Sequence, residues 1–132
     1  MILGGRPSGK VGRCRSLIKG LSAWIVLKNI LKEKSEYLSK GFQNNLDQAG
    51  KNYTMNRIGS MMCMFFTEET VNDFNAAVKS DTKTYGKYFH EMLKREIYLA
   101  PAQFEALFVS TAHTKEDLDK TIMAHKESLE RI

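Results

Sequence analysis

The stretch YTMNRIGSMMCMFF, residues 53–66, decides how this chain folds. Residues 53–58 alternate well enough between apolar and polar side chains for a strand. Gly59-Ser60 then makes a turn or bulge, and residues 61–66 run apolar without a break over the length of one strand. A continuous run of that length reads as a strand buried on both faces, with Cys63 inside it as a core residue. Two strands meeting at a turn need a covering layer, and the flanking sequence supplies helices.

Upstream, Leu17, Ile18, Leu21, Trp24, Ile25, Leu27, Leu31, Leu38, Phe42 and Leu46 recur at helical spacings with charges between them. That pattern predicts one long helix over 17–46, or two with a break near 32–35, and Gly50 then gives a stop. Downstream, residues 67–80 carry acids, Asn and a short Ala-Ala-Val patch without firm period, and read as a surface excursion. Ser80 or Asp81 caps a helix in which Tyr85, Tyr88, Phe89, Met92 and Leu93 share one side. Residues 97–99 look like a short strand ended by Pro101, and 106–110 like another. The last helix opens with Thr114 three residues ahead of Asp117, a capping box with Asp in place of Glu, and buries Leu118, Ile122 and Leu129. The order of elements predicts an α+β fold, helices on a small and mainly antiparallel sheet. Residues 17–132 form this domain, preceded by a glycine-rich basic segment, 1–16.

With 132 residues, 42% of them apolar and 27% charged, the chain has the size and composition of one ordinary soluble domain. The net charge of +5 is uneven: residues 1–50 hold nine Lys or Arg against three acids. Arg6, Lys10, Arg13 and Arg15 sit among Gly, Ser and Pro, without aromatic interleaving or a recognition motif, so a solvated tail is expected and no nucleic-acid partner. An acid-free, Arg-bearing start also has the form of an organelle transit peptide, although it is short and poor in Ser. The apolar run 21–27 is too short to span a bilayer and no small-residue cleavage site follows it, so no membrane association is expected. Cys14 and Cys63 form no C-x-x-C pair and are expected as reduced thiols in a cytosol-like compartment.

Several short motifs lack the residues their chemistry needs. Gly4-Gly5-Arg6-Pro7-Ser8-Gly9-Lys10-Val11 fits seven positions of a phosphate-cradling loop, but only three residues precede it and Val11 cannot ligate magnesium. His90-Glu91-Met92-Leu93-Lys94 is one residue from a zinc-protease helix, and Lys94 puts a cation at the second ligand position. No metal site is expected, and His113 and His125 have no partner ligands at motif spacing. Ser110 lies near His113 without an elbow or oxyanion hole. Glu105, between Phe104 and Ala106-Leu107-Phe108, has two readings: a carboxylate kept in an apolar setting for function, or one pointing out of a short strand into water.

Four stretches taken together resemble a known family. Asn56-Arg57-Ile58-Gly59-Ser60-Met61, Ser80-Asp81-Thr82, the run Tyr98-Leu99-Ala100-Pro101-Ala102-Gln103-Phe104-Glu105-Ala106 and the run Phe108-Val109-Ser110-Thr111-Ala112-His113-Thr114 follow the pattern of the C-terminal domain of glutamate-1-semialdehyde 2,1-aminomutase, in the same order and at the same distances. The resemblance covers about 36–130, with 20–34 as a looser match. It implies the small domain of the aspartate-aminotransferase fold, class III, in a pyridoxal-phosphate isomerase. Such an enzyme works as a homodimer and makes 5-aminolevulinate for tetrapyrrole synthesis, in the cytoplasm or in a plastid.

The same resemblance marks what is missing. Ile2-Leu3-Gly4-Gly5, Pro7 to Gly9 and Gly12-Arg13 echo the family's glycine-rich segment after the cofactor lysine, and Met1 falls where that lysine would stand. The family's phosphate-reaching Thr segment has no counterpart between Ser16 and Lys19, and Leu107 replaces a Gly. The chain thus looks like a shortened piece of the enzyme, without a catalytic or cofactor-binding residue to carry over and without covalently held pyridoxal phosphate. Glu105 alone carries over, as the carboxylate that faces the substrate. Gln103 and Ser110 match family positions to which no role attaches. A non-catalytic module that docks on a full-length subunit or another partner is the competing expectation.

Overall fold

The computed structural model describes residues 17–132, and side chains from residue 22 onward. The glycine-rich basic segment, with Cys14 and the phosphate-loop-like stretch, lies outside the described residues. Helix α1, Leu17–Ala49, is one continuous helix of 33 residues without a break at 32–35. Ser35 is fully buried there and its hydroxyl donates to the Gly59 carbonyl at 2.8 Å, so the polar position is a tertiary contact. Gly50 ends the helix as the sequence implies: its φ of 65° is left-handed, its N–H reaches Asp47 O, and Lys51 N–H reaches Leu46 O.

Strands β1, Thr54–Ile58, and β2, Met61–Phe65, pair antiparallel from Thr54 opposite Phe65 to Ile58 opposite Met61. The two loop residues are Gly59 and Ser60, and Gly59 alone is left-handed, φ 59°, as a type II′ turn requires. β2 is not buried on both faces. Met62 and Met64 point into the core, whereas Met61 is exposed and Cys63 and Phe65 are half-buried. A continuous apolar run does not reveal how much cover its second face receives, and here the Cys63 side chain on that face meets the turn at Gln103 O and Glu105 O.

Residues 67–80 contain more order than their sequence shows. The segment is tied to β1 by Thr54 Oγ1 donating to Glu69 O and Asn56 Nδ2 donating to Val71 O, at 2.8 and 2.7 Å. It buries Val71 and forms a one-turn helix, α2, Phe74–Val78, capped by Asp73, whose carboxylate accepts from Ala76 N–H. Five residues are too few to show a helical period. Helix α3, Thr82–Lys94, starts at Asp81, whose Oδ1 accepts from Lys83 and Thr84 N–H. It buries Tyr85, Tyr88 and Met92, while Leu93 faces water.

The expected strand at 97–99 reduces to one isolated bridge at Tyr98, although Ile97 and Leu99 are buried on either side of it. The expected strand at 106–110 reduces to β3, Leu107–Phe108, antiparallel to β2 with Met62 opposite Leu107. Helix α4, Lys115–Leu129, opens on the expected capping box, Asp117 N–H to Thr114 Oγ1 at 3.2 Å and Thr114 N–H to Asp117 Oδ2 at 2.9 Å. The three-stranded sheet, in order β1-β2-β3, turns Met62 and Met64 toward α1, α3 and α4. α1 lies mainly on α4, close enough at Gly41 that a Cβ there would stand 2.4 Å from Ile122 Cδ1.

Candidate functional site

Glu105 occupies an exposed turn between Pro101 and β3. Its carboxylate is therefore not held at a desolvation cost, and of its two readings the outward-facing geometry is the one found. It leaves a turn, however, and not a strand. Glu105 N–H closes the turn on Ala102 O at 3.2 Å. Phe104 beside it is about half exposed, and its ring meets Phe74 of α2 at 6.3 Å between centroids. The turn thus carries an exposed carboxylate next to an exposed aromatic pair, Phe104 with Phe74.

The turn is fixed from beneath. Gln103, nearly fully buried, donates through Nε2 to Met64 O at 2.6 Å and accepts through Oε1 from Phe66 N–H at 3.3 Å. The Cys63 thiol reaches Glu105 O at 3.5 Å and Gln103 O at 3.7 Å, and burial pushes its pKa up to about 11. Cys63 is thus a donor under the turn and not a full core residue. Sequence reasoning left Gln103 without a role. The signal available was an amide inside an apolar stretch, which needs partners for both its donor and its acceptor once buried. Phe74, on a helix the sequence does not show, carried no such signal.

The other singled-out residues have structural occupations. His113 Nδ1 accepts from Ser110 N–H at 3.0 Å and Ser110 Oγ accepts from Ala112 N–H at 3.1 Å, so both side chains serve the entry to α4. Lys34 binds the same loop, donating to Thr111 O and His113 O. Glu91 pairs with Lys94 at 2.6 Å and Arg95 at 2.9 Å, bonds that hold its carboxyl down at about 2. The zinc-like helix pattern is an ion-pair cluster, and among the described residues no group of three or more potential ligands is assembled. His125 is buried against Phe42, ring on ring at 4.0 Å, with Nδ1 facing Asn45 Nδ2 at 3.1 Å. A groove of about 600 Å³ between α1 and α4, lined by Tyr37, Lys40, Asn44, Met123 and Lys126, does not include Glu105.

No family model matches the chain. The glutamate-1-semialdehyde 2,1-aminomutase of Chlorobaculum parvum is 54% identical over 99 residues, 75% of this chain and 23% of the relative. That of Chlorobium luteolum is 39% identical over 158 aligned positions, 98% of this chain and 37% of the relative. That alignment is longer than the chain, so the relative carries residues between matched positions that this chain lacks. Among solved structures, a β-phenylalanine aminotransferase from Variovorax paradoxus matches with TM-score 0.69 at 22% identity, over 76% of this chain and 23% of that one. An omega-transaminase from Sphaerobacter thermophilus matches with TM-score 0.73 at 19% identity, over 80% and 24%. The α+β arrangement of helices on a small antiparallel sheet is therefore a portion of the aminotransferase fold. By sequence the chain is homologous to the glutamate-1-semialdehyde 2,1-aminomutases, a member of their family that spans about a quarter of the length of the first relatives it matches.

Proposed function

We propose that residues 17–132 serve as the substrate-side small domain of an aminomutase that converts glutamate 1-semialdehyde to 5-aminolevulinate, in a cytosol-like compartment. The observation that carries this reading is the Glu105 turn, anchored by β2 and presenting its carboxylate to the open beside Phe104 and Phe74. Pyridoxal phosphate, when bound, supplies the electron sink that lets an amino group move between adjacent carbons. Among the described residues, the groups placed against this turn are aromatic rings, a thiol and an amide. These fit neither an imine-forming lysine nor a phosphate cradle, so the cofactor's contacts come from a companion domain and no step through the cofactor is derived from this chain. Glu105 acts on the substrate by charge, drawing its amine and repelling a second carboxylate.

The chain by itself holds no cofactor covalently in this reading. Incubation with pyridoxal phosphate, borohydride reduction and digestion are expected to give scattered labelling of surface lysines. One stoichiometrically modified lysine would sink that part of the proposal.

A second reading, in which the chain docks on a full-length subunit without chemistry, draws on the exposed Trp24, Ile25, Val26 and Leu27 of α1. Mixing the chain with the remaining part of the Chlorobaculum parvum relative separates the two. Co-elution with turnover supports the first reading, co-elution without turnover the second, and failure to associate defeats both.

A further inference from the structure

We infer that Gln103 is the positioning residue of Glu105: its side-chain amide stands in for a strand against β2 and so fixes the turn that presents the carboxylate. The inference rests on the proposed role of Glu105 and adds to it a residue that never touches substrate.

β3 pairs with β2 only at Met62 and Met61, which leaves the rest of that edge to find other partners. Gln103 supplies two of them, with its donor on Met64 O and its acceptor under Phe66 N–H, while Asp81 N–H meets Phe66 O. A primary amide offers a donor and an acceptor from one planar group, as a backbone peptide does along a strand, so one side chain replaces a length of ladder. Gln103 is 3% exposed, and losing either bond would leave a buried polar group unmet. The backbone of the turn is then pinned at Gln103 by that side chain, at Gln103 O and Glu105 O by the Cys63 thiol, and at Glu105 N–H by Ala102 O. Phe104 and Glu105 point outward from a backbone that the sheet holds in place. The position of the carboxylate is set by β2 and not by loop freedom, as orienting a substrate by charge requires.

The test compares the full chain with its Gln103→Met variant, which keeps length and volume but makes neither bond. Hydrogen exchange, read by mass spectrometry, is expected to speed up roughly ten- to a hundredfold in peptides covering Phe66 and Glu105, with α3 and α4 unchanged. Equal protection in both chains, or a uniform loss across the helices, overturns the inference.

A four-variant cycle on the chain combined with the rest of the Chlorobaculum parvum relative then tests the link to chemistry. Gln103→Met is expected to lower kcat/KM by about tenfold, with no further loss once Glu105→Gln is present. Equal losses in both backgrounds show a general structural role and overturn it. If Glu105→Gln leaves turnover unchanged, the role proposed for Glu105 falls, while the exchange result still decides whether Gln103 positions the turn.

Discussion

The two ends of α1 are one helix under different conditions. Residues 35–46 send Ser35, Leu38, Phe42, Asn45 and Leu46 into the interior against α4 and β2. At the other end Trp24, Ile25, Val26 and Leu27 all stand in solvent, each at least 45% exposed. Four consecutive residues at about 100° per step go right round a helix, so no single neighbouring face would cover them. The Trp24 ring is met by Lys28 Nζ, 5.1 Å away and one turn on in the same helix. The exposed end is the more apolar of the two, and what it lacks is the cover of α4 and the sheet. Burial is a property of the neighbours as much as of the residue.

Truncation at the covered end breaks that contrast most severely. Phe42→Ala removes a fully buried ring stacked on His125 and is expected to cost about 3 to 5 kcal/mol in chemical denaturation. A loss under 1 kcal/mol would mean that the α1–α4 seam is looser than its geometry.

Acid acts next. Burial pulls the His125 pKa down to about 3, against an ordinary value near 6.5. Between those values the unfolded chain binds a proton that the folded one excludes. The stability is therefore whole above about pH 6.5 and is lost as pH falls toward 3, by up to roughly 1.4 kcal/mol per unit. Unfolding measured from pH 7 to pH 4 should show a steeper decline in the parent chain than in His125→Phe. Parallel declines would put the acid sensitivity elsewhere.

Gly41→Ala is a smaller perturbation with two opposing parts. A helix gains about 1 kcal/mol from the exchange, while the new methyl would stand 2.4 Å from Ile122 Cδ1 and 2.6 Å from Cγ1, an overlap worth about 1 to 3 kcal/mol. A net loss of about 1 kcal/mol is expected, and a gain would show that Ile122 swings aside freely.

At the uncovered end the expected effect on stability is smallest. Trp24→Ala should change unfolding by no more than about 0.5 kcal/mol. In sedimentation the chain is expected to self-associate through this exposed apolar segment, and the same substitution to reduce it. Loss of stability with unchanged association would reverse the assignment of the two ends.

Where the sequence was legible, the determinants were local. Gly59 between two strands, Asp81 ahead of α3, Thr114 with Asp117 ahead of α4 and Gly50 after α1 each act on backbone within a few residues, and each appears in the structure in its expected part. Motif resemblance identified the family from four short stretches, again without tertiary information. The expectation for Glu105 was divided because its flanks are apolar. Phe104 proves to be exposed, and only the fold could show that.

The chain's own pattern therefore determined its three long helices, its hairpin turn, their caps and its α+β class, because those follow from dihedral preference, period and hydrogen bonds closed within a few residues. Tertiary structure decided which apolar residues are covered, that β3 stops after two residues, and that Gln103 completes the edge of β2. Each of these depends on a partner distant in sequence, and a hydrogen bond from Gln103 to Met64, 39 residues away, leaves no periodic trace along the chain.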